Sequence, residues 1–224
     1  MPRNKTATHA SLPFQIDADG WAADVVRLPS PNFDQRADGM DISLLVIHNI
    51  SLPPEQFGGP FIADLFLNQL DYAADPYFEQ LKLLRVSAHF LIRRDGNVMQ
   101  FVSARDRAWH AGASSFCGQE RCNDFSIGIE LEGTDFQPFE EAQYIALASL
   151  TVALKQAYPL RHVSGHEQIA PGRKTDPGPF FNWTEYQALY RKKYAEWRES
   201  AMQKLTEKQL QDRTAPGDLQ FCIV

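Results

Sequence analysis

The chain of 224 residues contains no apolar run approaching the ~20 residues needed to cross a bilayer, so a membrane-embedded protein is not expected. It also lacks an excess of basic residues. Its 22 Lys and Arg are outnumbered by 28 Asp and Glu, a formal charge of -6, which is the wrong sign for a partner of nucleic-acid backbone. Cysteine is scarce and odd in number: Cys117, Cys122 and Cys222 do not make a disulfide framework. The opening MPRNKTATHASLPFQ carries no apolar signal core, so the expectation is a cytoplasmic protein with reduced thiols. Cys117 and Cys122 form a CGQERC pair with no second pair nearby, and are read as two free thiols rather than metal ligands. No internal repeat and no low-complexity tract is present.

What is there suffices for one packed domain. Hydrophobic residues make up 44% and aromatics 12% of the chain, an ordinary globular composition. Residues 1–38 mix Pro, Asp, Asn and Gly and read as an extended arm with a short strand near Ala23–Leu28. Ile42–Ile50 (ISLLVIHNI) is a strand buried on both faces, with His48 at its C-terminal end, where open α/β sheets bind ligands. Phe61–Leu70 has helical spacing behind Pro60. Val86–Arg94 and Val98–Val102 flank an Asp95-Gly96 pair and predict a hairpin. Ser103–Phe125 is long and weakly patterned, a length associated with functional loops, and Ser126–Leu131 (SIGIEL) resumes a buried strand carrying Glu130. Phe139–Tyr158 predicts a helix stopped by Pro159, and Arg161–Ser164 a last short strand. A final helix, capped by Thr184 and lined on one face by Tyr186, Leu189, Tyr190, Tyr194 and Trp197, is expected to run to about Gln211. The last eight or so residues read as frayed.

The segment His162–Gly178 (HVSGHEQIAPGRKTDPG) holds two imidazoles, a lysine and two carboxylates among three glycines and two prolines, which excludes a regular helix and suits a loop that positions side chains. With His48 and Glu130 at strand ends and His166, Lys174 and Asp176 in this loop, a mononuclear zinc site with an open position is compatible with the residue types. Taken singly, each has an ordinary alternative. His48 can be a hydrogen-bonded core histidine, Glu130 can pair with an arginine, Asp176 before Pro177 is a common turn residue, and Lys174 is by default solvated. From Arg85 to Arg121, six arginines face only Asp95, Asp106 and Glu120, a surplus that suits either a small anionic ligand or a solvated face.

Five ordered motifs narrow the choice: HNISLPP at His48, SAHFLIRRDG at Ser87, RAWHAG at Arg107, CNDFSIGIELEGTD at Cys122 and GHEQIAPGRKTDPGP at Gly165. Together, over about residues 20–195, they resemble the AmpD-type N-acetylmuramoyl-L-alanine amidases of the amidase-2 superfamily. The resemblance implies an α/β (α+β) fold with a single central mixed β-sheet flanked by helices, as in the peptidoglycan recognition proteins. It implies residues 1–38 as an arm, 39–198 as the catalytic domain and 199–224 as a helix extension and tail. It further implies Zn2+ held by His48, His166 and Asp176, with Glu130 as general base, Lys174 on the oxyanion, and Asn49, Trp109 and Arg121 on the sugar and peptide. His162, although four residues before His166, is expected to be structural, and so are His89 and His110, as packing or substrate-edge residues; His9 belongs to the arm.

The activity implied is hydrolysis of the amide between N-acetylmuramic acid, in its 1,6-anhydro form, and L-alanine of a muropeptide, in cytosolic peptidoglycan recycling by a monomer. Two rivals are weighed beside it. A non-catalytic peptidoglycan-fragment-binding module of the same fold would not need Glu130 and Lys174 together. A structural zinc domain would want a fourth protein ligand.

Overall fold

A computed structural model describes residues 14–203 and 218–223. In chain order the elements are β1 (Val26–Arg27), β2 (Phe33–Asp34), β3 (Leu44–Ile50), α1 (Phe61–Phe66), β4 (Phe90–Ile92), β5 (Val98–Gln100), β6 (Arg107–Ala108), β7 (Ser115–Phe116), β8 (Gln119–Glu120), β9 (Ser126–Glu132), α2 (Glu141–Ala157), β10 (His162–Gly165), α3 (His166–Ile169), α4 (Trp183–Gln203) and β11 (Gln220–Phe221). Seven strands form one mixed sheet in the order β1-β5-β4-β9-β3-β10-β11. β4 and β5 are its antiparallel pair and all other neighbours run parallel.

The central strands β9, β3 and β10 are apolar on one face because alternate residues point to opposite sides. Leu45, Ile47, Ile127, Ile129, Leu131 and Val163 share a core with Leu147, Leu150 and Leu154 of α2 and Tyr186 and Tyr190 of α4. The tyrosines of α4 continue outward as a stack, Tyr190 on Tyr194 at 5.7 Å and Tyr194 on Trp197 at 5.4 Å between ring centroids. At the start of α2, buried Gln143 ties the helix to the sheet, its Nε2 donating to the carbonyls of Ile92 (3.2 Å) and Glu132 (3.0 Å). Those are the last residues of β4 and β9, so the helix is pinned at the end of the sheet where the cleft opens.

The opposite parity builds a different face. Leu44 and Val46 pack with Ala111, Cys122, Phe125 and Ile169, and Leu91 packs with Ile62, Phe66, Phe78 and Phe101 from α1 and the connecting loops. Among the described residues no long helix covers this side; the 103–125 segment and the loops after β3 and α3 do. The buried Arg93–Glu132 ion pair (2.7 Å) fixes one of them: Glu132 also accepts from Gly58 N (2.7 Å), and Arg93 donates to the Gly59 carbonyl (2.7 Å).

Several predicted boundaries are corrected. The helix expected over 61–70 stops at Phe66, because Asn68 takes a left-handed backbone with φ 57°. The strand expected over 86–94 is regular only from Phe90 to Ile92, with His89 and Arg93 still bonded through their backbones to Gly128, Phe101 and Asn97, and Val98 pairs with Ile92 across the predicted turn. The long 103–125 segment contains β6, which pairs with β2, and a β7–β8 hairpin. Thr184 does not cap α4: the helix begins at Trp183, and Asn182 Oδ1 accepts from Glu185 N (3.1 Å). Residues 218–223 of the tail are not frayed, since β11 adds to the outer edge of β10 and Phe221 packs on the rings of Tyr186 (5.3 Å) and Tyr190 (5.8 Å). The predicted continuation of α4 to Gln211 and the placement of His9 lie outside the described residues.

Candidate metal centre

Register sets the site. His48 on β3 stands opposite Glu130 on β9, and Ile47 stands opposite Gly165 on β10, so that His166, the next residue, comes up beside His48. All three lie at the carboxyl ends of adjacent parallel strands, the usual ligand position of such sheets. The loop after α3 then returns Asp176 to the pair: the Asp176 carbonyl accepts from Glu167 N (2.8 Å). Gly165 permits this return, because a Cβ there would meet Pro177 Cδ at 2.7 Å.

Three donor atoms converge. His48 Nδ1 and His166 Nδ1 are 2.9 Å apart, and each is 3.0 Å from Asp176 Oδ2. Of the described residues, these three form the group of His, Cys, Asp or Glu side chains able to hold a metal ion. His166 Nε2 faces the Ala111 carbonyl at 3.1 Å and must donate to it, which in the neutral ring leaves a lone pair on Nδ1. Two acceptors, that lone pair and Asp176 Oδ2, then point at each other inside the protein. A divalent cation removes this conflict, and donor separations near 3 Å are close to the ~3.3 Å that bonds of about 2.0–2.1 Å make at the tetrahedral angle. The donor set fits a metal ion.

The electrostatics agree with that use. Burial lowers the pKa of His48 to about 4, against the opposing pull of the adjacent Asp176 carboxylate, so its ring is neutral and able to ligate. Burial alone raises the Asp176 carboxyl, but the close approach of His166 and His48 outweighs it and holds the group well below the usual carboxylate range. Glu130 is 9% exposed, and burial, reinforced by Asp176 and opposed by Lys174, pushes its carboxyl well above the ordinary value. Among the described residues its Oε2 has no hydrogen-bond partner. The expected alternative of an arginine partner falls instead to Glu132, two residues on.

These groups floor a cleft of about 470 Å³, within the size range of small-molecule sites. Asn49, Trp109 and Lys174 line it, as do Arg85 and Arg173. One wall is apolar, with Leu52, Leu65, Phe66, Tyr77, Leu81 and Leu84. Asn49 Nδ2 is already engaged, donating to Asp135 Oδ1 (2.7 Å) and the Pro177 carbonyl (3.0 Å). It therefore braces the Asp176 loop. Arg121 is placed elsewhere: it is 70% exposed, pairs with Asp124 at 3.1 Å and lines a neighbouring depression that shares Arg173 with the cleft. His162 stands on β10 with its Nδ1 3.7 Å from Cys222 Sγ, away from the cluster. Cys117, Cys122 and Cys222 are free.

Sequence reasoning set His110 aside as packing or substrate edge. In the fold its ring meets the outer nitrogen of His48 (His48 Nε2 to His110 Nδ1, 2.9 Å). The signal for it was its position beside Trp109 in RAWHAG, which spacing alone does not connect to β3.

Comparison with known proteins gives a consistent answer. The profile of the amidase-2 family, described as N-acetylmuramoyl-L-alanine amidase, matches residues 38–179. The chain is 57% identical over 173 residues to the 1,6-anhydro-N-acetylmuramyl-L-alanine amidase AmpD of Citrobacter freundii, covering 76% of this chain and 92% of that protein. It is similar to a crystal structure of a selenomethionine AmpD derivative, with a TM-score of 0.73 and 56% identity over 76% of this chain and 97% of that one. It also resembles Escherichia coli AmiD in complex with anhydro-N-acetylmuramic acid-L-Ala-D-γ-Glu-L-Lys, with a TM-score of 0.50 and 29% identity over 78% of this chain and 65% of that one.

Proposed function

Because the chain belongs to the N-acetylmuramoyl-L-alanine amidase family, we propose that it uses a zinc ion held by His48, His166 and Asp176 to hydrolyse the amide joining 1,6-anhydro-N-acetylmuramic acid to L-alanine. The observation that carries the reading is the triangle of donor atoms, 2.9–3.0 Å on each side, with the unpartnered Glu130 Oε2 on the next strand. The anhydro sugar is favoured by the names of the relatives most like this chain. A role on soluble muropeptides in the cytoplasm is in keeping with them; no described helix is long and apolar enough to cross a membrane.

When bound, zinc supplies Lewis-acid polarisation of the amide carbonyl and makes water acidic enough to attack near neutral pH. Glu130 does the proton transfer. Its buried carboxyl, with affinity for a proton raised by burial and by Asp176, removes the proton from the attacking water and delivers it to the L-alanine nitrogen as the C–N bond breaks and the new C–O bond remains. Lys174, on the cleft wall, brings a positive charge to the oxygen that becomes negative, an effect on the order of 3 kcal/mol per donor in other enzymes. Trp109 offers a ring face to the sugar, and Arg85 and Arg173 offer cations to the peptide carboxylates. Asn49, tied to Asp135 and Pro177, keeps the Asp176 loop seated.

The test is incubation of zinc-loaded protein with anhydro-muropeptide and, in a separate reaction, with intact sacculi, followed by mass analysis. Free peptide released from the anhydro-muropeptide, with slow or no release from sacculi, is the expected result. Absence of product from both substrates by protein that retains zinc overturns the reading.

A further inference from the structure

The two histidines of the cluster are both gripped from behind by one dipeptide. His110 Nδ1 lies 2.9 Å from His48 Nε2, and the carbonyl of the next residue, Ala111, lies 3.1 Å from His166 Nε2. The dipeptide is itself fixed: Asn123 Oδ1 accepts from both of its amides, His110 N (3.2 Å) and Ala111 N (2.8 Å), and Arg173 donates to the Ala111 carbonyl (2.6 Å). Behind His110, its Nε2 is 3.2 Å from Ser126 Oγ on β9. The ring reaches this position only because residue 128 is glycine, where a Cβ would meet His110 Cγ at 2.4 Å.

The Ala111 carbonyl can only accept, so it fixes the His166 tautomer with the lone pair on Nδ1. His110 is different. A ring nitrogen can accept or donate, so the contact to His48 holds that ring correctly in only one of two polarities. For His48 Nδ1 to carry a lone pair toward the metal, Nε2–H must donate to His110 Nδ1, and His110 must carry its own proton on Nε2, toward Ser126 Oγ. The outer nitrogen of a metal-bound imidazole sets its tautomer and ring plane, and such partners commonly contribute about 10- to 100-fold in metal affinity.

We infer that His110, seated over Gly128 and backed by Ser126, is a positioning residue that holds His48 in the metal-ligating tautomer and orientation. This rests on the zinc reading above. His110 also borders the cleft, and the effect inferred for it is carried through His48.

The experiment measures zinc affinity of the full chain by competition with a chromophoric chelator, for the parent, His48→Ala, His110→Leu, His110→Asn and Ser126→Ala. Zinc loss in His48→Ala tests the underlying reading; equal affinity in parent and His48→Ala fells that reading, whatever His110 does. With that reading standing, His110→Leu is expected to weaken zinc by up to about 100-fold. His110→Asn, whose Oδ1 can occupy the place of Nδ1 and accept from His48, is expected to recover most of the loss. Ser126→Ala, which removes only the distant oxygen, is expected to lose about tenfold, and it decides the matter alone if the leucine variant does not fold. Nitrogen-detected NMR of the zinc-loaded parent is expected to show His110 protonated on Nε2. Unchanged affinity in the folded variants, or His110 protonated on Nδ1 in the zinc-loaded parent, overturns the inference.

Discussion

The two faces of the central sheet are made from the same strands and do opposite things. On β3 and β9, Leu45, Ile47, Ile127, Ile129 and Leu131 point into the core beneath α2 and α4, while His48 and Glu130, one residue out of phase, point into the cleft. The helix-bearing face buries apolar surface, and there the Tyr186 hydroxyl meets Thr151 Oγ1 at 2.7 Å while the Tyr190 hydroxyl has no partner among the described residues. The cleft face carries His48, kept neutral by burial, and a carboxyl oxygen with no partner among the described residues. Stability and chemistry are therefore separated by parity rather than by domain, and a change on one face should leave the other readable.

The largest break in that separation is expected from His166→Ala or Asp176→Ala. Each should abolish zinc retention and drop turnover to background, with far-UV circular dichroism unchanged, as metal analysis after desalting would check. Glu130→Gln comes next. It should keep zinc and lose roughly 10²- to 10⁴-fold in turnover.

The same substitution should stabilise the metal-free protein at neutral pH. The Glu130 carboxyl has a folded pKa above its unfolded one, so its stability contribution is fully present below the unfolded value of about 4.3 and is lost as pH rises through the folded value. Glutamine has no charge to bury, and thermal melts of parent and variant should accordingly diverge as pH rises from the unfolded value of about 4.3 towards the folded one. Coincident melts across pH 4–8 would mean that Glu130 is not carried at a cost by the cleft face.

On the other face, Leu150→Ala should cost about 2–5 kcal/mol of unfolding free energy by denaturant titration, with kcat of the folded fraction unchanged. The smallest effect is expected at Arg121. It sits outside the cleft in the adjacent depression, and Arg121→Ala should raise KM by no more than about threefold, the scale of one exposed charge contact. A tenfold rise would show that the peptide runs past Arg173 into that depression.

Much of this layout was legible in the residue order. β3 and β9 read as buried strands because their apolar runs are nearly continuous, the hairpin at Asp95-Gly96 follows from turn chemistry, and α2 shows a helical period with an acidic first turn and a proline stop. His48, Glu130, His166, Lys174 and Asp176 were compatible with a metal site by residue type alone, and the resemblance of five motifs to the amidase family selected among them. What could not be read depends on pairing over distance. β11 is two residues long, too short for any period, and exists because β10 offers an open edge, whereas the equally short β1 lies within the strand expected near Ala23–Leu28. The α4 cap fell to Asn182 rather than Thr184 because both types cap well and only the packing of Phe181 and Trp183 decides between them. His110 gives no local sign of its role, since the contact that defines it spans 62 residues.

The tail strand carries a practical consequence. β11 occupies the outer edge of β10, where the Gln220 amide donates to the Arg161 carbonyl and the Cys222 amide to the Val163 carbonyl. A protein shortened before Leu219 would leave those carbonyls on β10 bare and uncover Tyr186 and Tyr190, offering an adhesive strand margin to other molecules. Shortened versions meant for crystallisation or expression should therefore be watched for self-association before any loss of activity is blamed on the metal site.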